Sequence, residues 1–138
     1  MALIELWKME RERAVFIDRD GTLNEEVGYL REPEQVKLFE SSMEAIRRIN
    51  LSGLKVIVVT NQSGVARGFL DESRLADIHK HMRSLLGDLG AHIDAIYYCP
   101  HHPFIGDAPY RAECNCRKPK PGLLHQAERD FNLDLAGC

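Results

Sequence analysis

A chain of 138 residues has room for one domain around one core, which excludes a second folded unit. Its 18 basic and 21 acidic residues leave a formal net charge of -3, no field for gathering nucleic acid, and no apolar run approaches the roughly 20 residues that cross a bilayer. Residues 1–13 mix Glu, Lys and Arg too densely for a signal-peptide core, so a cytoplasmic protein is expected, with its four cysteines as ligands or free thiols rather than disulfides.

Leu3-Ile4-x-Leu6-Trp7 in that first segment reads as a patch docked on the surface or a poorly ordered terminus, and no function is assigned to it. Ala14-Val15-Phe16-Ile17 follows, four apolar residues in a row, and predicts a parallel strand covered on both faces. It runs into Asp18-Arg19-Asp20-Gly21-Thr22. Side chains alternate along a strand, so Asp18 and Asp20 fall on one side, at the end where open α/β sheets place ligands. There one carboxylate can attack while the other moves protons. The same residues also read as a plain acidic turn. A calcium loop does not fit, since its invariant glycine comes two residues later and a helix precedes it.

Residues 24–35 are polar, with Gly28 and Pro33, and predict a loop over the site; Val36-Lys37-Leu38-Phe39 is a short extended piece. Ser41 and Glu44 have capping-box spacing at the start of a helix over about 42–52, with Ala45, Ile46 and Ile49 on its apolar face. Residues 54–60 form a second buried strand ending in Asn61-Gln62-Ser63-Gly64, and strand, helix, strand makes a βαβ unit whose crossover should be right-handed. Asp71 is a good N-cap for a second crossover helix reaching Gly90, with Leu75, Ile78, Met82, Leu85, Leu86 and Leu89 on one face. His79 and His81 have no ligand partner at i+4 and read as solvent-facing or packed polar residues. Residues 92–99 are the third strand.

The stretch from Cys99 to Cys116 contains Pro100, Pro103, Gly106 and Pro109, and a loop that long needs something to hold it. Cys99-x-His101 and Cys114-x-Cys116 supply three thiolates and one imidazole, which fill a tetrahedral zinc site and leave no open position. Such a zinc is structural, closing the loop and fixing Arg117 and Lys118 directly after it. His102 is the alternative imidazole, and Cys138 stands apart. Pro121 then occupies a helix start, with Leu123, Leu124, Ala127 and Phe131 on a face running to about Asn132.

Asp18-Arg19-Asp20-Gly21-Thr22 resembles the first motif of the haloacid dehalogenase superfamily of phosphohydrolases. Gly28-Tyr29-Leu30, the run from Val58 to Gly68, the run from Tyr97 to Pro103 and Cys114-Asn115-Cys116-Arg117-Lys118-Pro119 are similar to the branch that acts on D-glycero-D-manno-heptose 1,7-bisphosphate, with histidinol-phosphate phosphatases as a sister activity sharing the zinc loop. The resemblance covers about Arg13 to the end. It implies an α/β, three-layer, Rossmann-like parallel sheet with helices on both faces, and Mg²⁺-dependent hydrolysis of the 7-phosphate through an aspartyl-phosphate. Asp18 is implied as nucleophile and Asp20 as general acid, then base. Thr60, Asn61 and Lys118 match its phosphate-binding positions, and Asp18 and Asp20 its Mg²⁺ ligands. Arg117 matches a substrate contact, a guanidinium suiting a second phosphate. The expected partner is a phosphorylated sugar, with neither nucleic acid nor membrane.

The same resemblance implies a further strand and an acidic fourth motif beyond Asp134-Leu135-Ala136-Gly137-Cys138. Residues 1–138 are therefore expected to be a single domain of this kind, incomplete at its carboxyl end. The Asp18 strand is expected as an unpaired edge, turnover as weak, and self-association as a consequence. A zinc-stapled fragment that binds phosphate or a partner chain without turnover is the competing expectation.

Overall fold

The computed structural model describes residues 10–138, so Leu3-Ile4-x-Leu6-Trp7 lies outside the described residues. Three of the apolar runs form parallel strands, β1 (Ala14–Ile17), β2 (Lys55–Asn61) and β3 (Ala95–Cys99), in the order β1-β2-β3. Val15 stands opposite Val56, and Val58 opposite Ile96. Because β2 alternates, Val56 and Val58 join one core with Ile46, Ile78, Met82 and Leu86, while Ile57 and Val59 join another with Ala14, Leu123, Ala127 and Leu133. The first core belongs to α1 (Glu40–Leu51) and α2 (Glu72–Gly87), the second to α3 (Gly122–Phe131), which gives the expected three layers. Among the described residues no helix is long and apolar enough to cross a membrane.

Several local expectations change. β1 is buried only at Ala14, not on both faces; Val15, Phe16 and Ile17 are half-buried because β1 pairs with β2 alone and is the outermost strand among the described residues. The capping box does not form. The Phe39 N–H is already bonded to the Leu23 carbonyl at 2.9 Å, so α1 starts as the chain leaves that contact, with Phe39 at its N-cap. Ser42 Oγ is spent on the Thr22 carbonyl at 2.6 Å, and Glu44 accepts from Arg47 and Arg48. The extended piece before it reduces to one antiparallel bridge, Leu38 with Asn24, after a 3-10 turn over Pro33–Gln35.

Asp71 caps α2 as expected, accepting from the Arg74 N–H at 2.7 Å, but the helix ends at Gly87, leaving Leu89 exposed. β3 begins at Ala95 because Asp94 turns its carboxylate onto the Val56 N–H at 2.8 Å, and His92 is tied to Asn50. The long excursion after β3 lies against the loop after β2. Gly106 sits there with φ +85°, and a Cβ on it would overlap the Ala66 carbonyl.

Candidate active site

An open cleft of about 240 Å³ lies at the carboxyl ends of β1 and β2, lined by Asp18, Asp20, Glu26, Tyr29, Thr60, Asn61, Gln62, Ser63 and Lys118 among others. Asp18 follows β1 directly and its side chain is 51% exposed. Its Oδ1 takes the Lys118 ammonium at 3.0 Å and the Arg19 N–H at 2.8 Å. Among the described residues its Oδ2 accepts no hydrogen bond, so one oxygen is held and the other is left for a ligand.

Lys118 is seated by β2. Its Nζ donates to the Val59 carbonyl at 2.9 Å, and Asn61 clasps its backbone, accepting from the Lys118 N–H at 2.9 Å and donating to the Lys118 carbonyl at 3.2 Å. The Asn61 amide thus spends both ends on Lys118. Thr60 Oγ1 accepts from Gln62 Nε2 at 2.9 Å, and its own hydroxyl hydrogen is left to donate into the cleft.

Asp20 is saturated. Its two oxygens accept from Arg19 Nε at 3.1 Å and Nη2 at 3.0 Å, from Asn24 Nδ2 at 3.0 Å and from Gln62 Nε2 at 3.0 Å. Burial pushes this carboxyl up, but the Arg19 charge and the bonds from Arg19, Asn24 and Gln62 outweigh it and hold it below the usual carboxylate range. Sequence reasoning left out Arg19, Asn24, Gln62 and His79. Gln62 had a signal, standing two residues after Thr60 on the same side of an extended run, and Arg19 had one in its place between two aspartates. His79 had none beyond the buried face of α2.

His79 is packed against Arg19, its Nε2 3.2 Å from Arg19 Nη1. Burial pushes its pKa down to about 3, and the charges of Arg19 and Arg83 push the same way. The folded value lies below the ordinary one near 6.5, so the unfolded chain binds the extra proton. The stability contributed by the neutral ring is complete above about pH 6.5 and is lost as pH falls toward 3, with a slope of up to about 1.4 kcal/mol per pH unit. Urea unfolding of the native chain and of His79→Gln between pH 4 and 7 should show the slope shrinking in the variant. Parallel curves would show that His79 is not held neutral.

Beyond the cleft, Cys99, His101, Cys114 and Cys116 place their ligand atoms within 4.8 Å of one another. Cys99 Sγ lies 3.6 Å from Cys114 Sγ and 3.6 Å from His101 Nδ1, which lies 3.4 Å from Cys116 Sγ. A tetrahedron with zinc–ligand bonds near 2.1–2.3 Å has edges of about 3.5–3.8 Å, so the four groups fit that ion. His102 does not join them: its Nδ1 accepts the N–H groups of Phe104 and Ile105, each at 3.1 Å. Cys138 is remote, at the start of β1, with Sγ donating to the Asp134 carbonyl. With no metal bound, burial pushes the Cys99 and Cys116 thiols up; at Cys114 burial is outweighed by bonds from the Arg117 N–H and neighbouring thiols.

Glu72, at the start of α2, accepts from the hydroxyls of Tyr98 and Tyr110, each at 2.7 Å, tying the loop to helix and sheet. Arg117 is not brought to the Asp18 cleft. Its Nη1 reaches the His101 carbonyl at 3.4 Å, and it lines a neighbouring hollow with Pro103, Glu113 and Cys114.

Residues 14–136 match the family model described as polynucleotide kinase 3 phosphatase. A Pasteurella multocida (strain Pm70) protein named D-glycero-beta-D-manno-heptose-1,7-bisphosphate 7-phosphatase is 44% identical over 123 residues, 89% of this chain and 66% of its own. The protein of that name from Escherichia coli (strain K12) is 40% identical over 123 residues, 89% and 64%. Among solved structures, a HAD-like phosphatase from Mesorhizobium loti superposes with a TM-score of 0.86 at 36% identity, covering 91% of this chain and 60% of that one. The D,D-heptose 1.7-bisphosphate phosphatase from B. bronchiseptica, complexed with magnesium and phosphate, gives 0.77 at 35% identity, covering 89% and 65%. The chain spans just under two thirds of the length of these relatives.

Proposed function

The chain belongs to the family described as polynucleotide kinase 3 phosphatase, within the haloacid dehalogenase superfamily, and on that footing we propose that it is a Mg²⁺-dependent phosphatase removing the 7-phosphate of D-glycero-D-manno-heptose 1,7-bisphosphate. The observation that carries this reading is the carboxylate pair: Asp18 with one free oxygen beside Lys118, and Asp20 two residues on, lining the same cleft.

Asp18 Oδ2 attacks phosphorus, the bond from phosphorus to the sugar oxygen breaks, and Asp20 gives its proton to the departing alkoxide. Asp20 is ionised in the resting cleft, so it takes up that proton from solvent as the negative phosphate arrives beside it. It then removes a proton from the water that opens the aspartyl-phosphate, which releases phosphate and restores Asp18. Lys118 and the Thr60 hydroxyl offset charge on the transferring group, where electrostatics and positioning supply most of the catalysis. Mg²⁺, when bound, would be held by Asp18 and the Asp20 carbonyl, and would neutralise the meeting anions. Zn²⁺ in the Cys99 loop would be structural. Arg117 would reach the second phosphate only by turning from the His101 carbonyl.

The names of the relatives and the net charge of -3 favour a small sugar over a polynucleotide end. The thiols kept free for metal suit the cytoplasm. The test is phosphate release, with Mg²⁺ and with chelator, from the heptose bisphosphate, from histidinol phosphate and from a 3′-phosphorylated oligonucleotide. Preference for the first is expected. Preference for histidinol phosphate would transfer the chain to the sister activity, release from the oligonucleotide alone would overturn the reading, and phosphate binding without release would leave an inactive zinc-stapled domain.

A further inference from the structure

Arg19 stands between the two aspartates, is fully buried, and takes no part in the steps above. A buried guanidinium has to be matched by partners. Its Nε and Nη2 meet the two oxygens of Asp20 at 3.1 and 3.0 Å, a fork that fixes the plane of the carboxylate as well as its place. Behind the fork, Nη2 also donates to Gln62 Oε1 at 2.9 Å, and Nη1 donates to His79 Nε2 at 3.2 Å. Nε2 can accept only if the ring is neutral with its hydrogen on Nδ1, the state its buried position on α2 favours. The turn after β1, the loop after β2 and α2 therefore meet on one guanidinium.

We propose that Arg19, braced by His79 and Gln62, is a positioning residue that holds Asp20 aligned to protonate the leaving oxygen. The proposal rests on the phosphatase reading. The competing role, a core ion pair that merely secures the turn, is separated from it by the leaving group. An alkoxide needs a proton in order to leave and a 2,4-dinitrophenolate does not, so a misaligned acid lowers kcat/KM, which ends at departure of the leaving group, only for the first; the shared second step, in which Asp20 activates water, enters kcat alone.

Arg19→Lys keeps the charge and loses the fork. It should lower kcat/KM for the sugar phosphate about 100-fold, but that for 2,4-dinitrophenyl phosphate less than about fivefold. His79→Leu should give the same pattern at about tenfold, and His79→Gln, which keeps an acceptor, should recover most of it. This second pair carries the test if Arg19→Lys does not fold. Equal losses of kcat/KM on the two compounds would overturn the proposal and leave Arg19 a structural ion pair. A native chain that cleaves the dinitrophenyl ester but not the sugar phosphate would overturn it while keeping the phosphatase reading. A native chain that cleaves neither removes that reading, and the proposal with it.

Discussion

Asp18→Asn should remove the Mg²⁺-dependent phosphate release proposed for the native chain, by at least about four orders of magnitude, and leave the fold in place. The amide is nearly the shape of the carboxylate but has no nucleophilic oxygen to offer phosphorus. Its carbonyl can still accept from the Lys118 ammonium and the Arg19 N–H, which now bond Oδ1. The lost ion pair is cheap, because the Asp18 side chain is 51% exposed and that of Lys118 32%, and such a pair contributes at most about 1 kcal/mol. Phosphate-release kinetics should therefore collapse while circular dichroism and the thermal midpoint stay close to those of the native chain. Turnover retained in the variant would sink the aspartyl-phosphate mechanism, since only direct attack by water would remain.

What could be read from the chain was whatever a short stretch states by itself. The apolar run of β2, the aspartates after β1 and the paired spacing around Cys99 and Cys116 are local signals; Thr60 and Lys118 came from the resemblance, and one cleft is lined by both of them with Asp18 and Asp20. What was hidden depends on partners far away in sequence. Asn61 looks like a free amide until Lys118 arrives from 57 residues on to occupy both its ends. His79 reads as either solvent-facing or packed until Arg19, 60 residues earlier, is buried against it. The capping box at Ser41 failed for a related reason: Phe39 was already bonded to Leu23, and the helix took its start from there. Four apolar residues in a row predicted a strand correctly in β1, but the burial of a strand depends on its neighbours, and β1 has one among the described residues.

Taking zinc from the Cys99 loop should be the most damaging change to stability. The ion joins the end of β3 to residues next to Lys118, closing a stretch with no regular secondary structure of its own across which loop entropy would otherwise be released. Structural zinc contributes roughly 10–16 kcal/mol of binding free energy in small zinc peptides at neutral pH, of which this domain needs only part. The loop keeps other anchors, the Tyr98 and Tyr110 hydroxyls on Glu72 and the seat of Gly106 on Ala66. The sheet and helices should therefore remain while the thermal midpoint falls by about 10 °C, as a loss of some 3–4 kcal/mol gives in a domain of this size. Cys116→Ser should reproduce the fall, and Cys138→Ser, at a thiol remote from the cluster, should not. Acid should act in the same direction as the chelator. Burial holds the metal-free Cys99 and Cys116 thiols protonated above the ordinary range, so binding releases protons; zinc-derived stability is greatest at alkaline pH and is lost as pH falls. Elemental analysis should find one zinc per chain in reduced protein. A metal-free chain with the same melting curve would mean that the four ligands are held together by the loop itself, and that Lys118 owes its place to its bonds with Asn61, Val59 and Asp18.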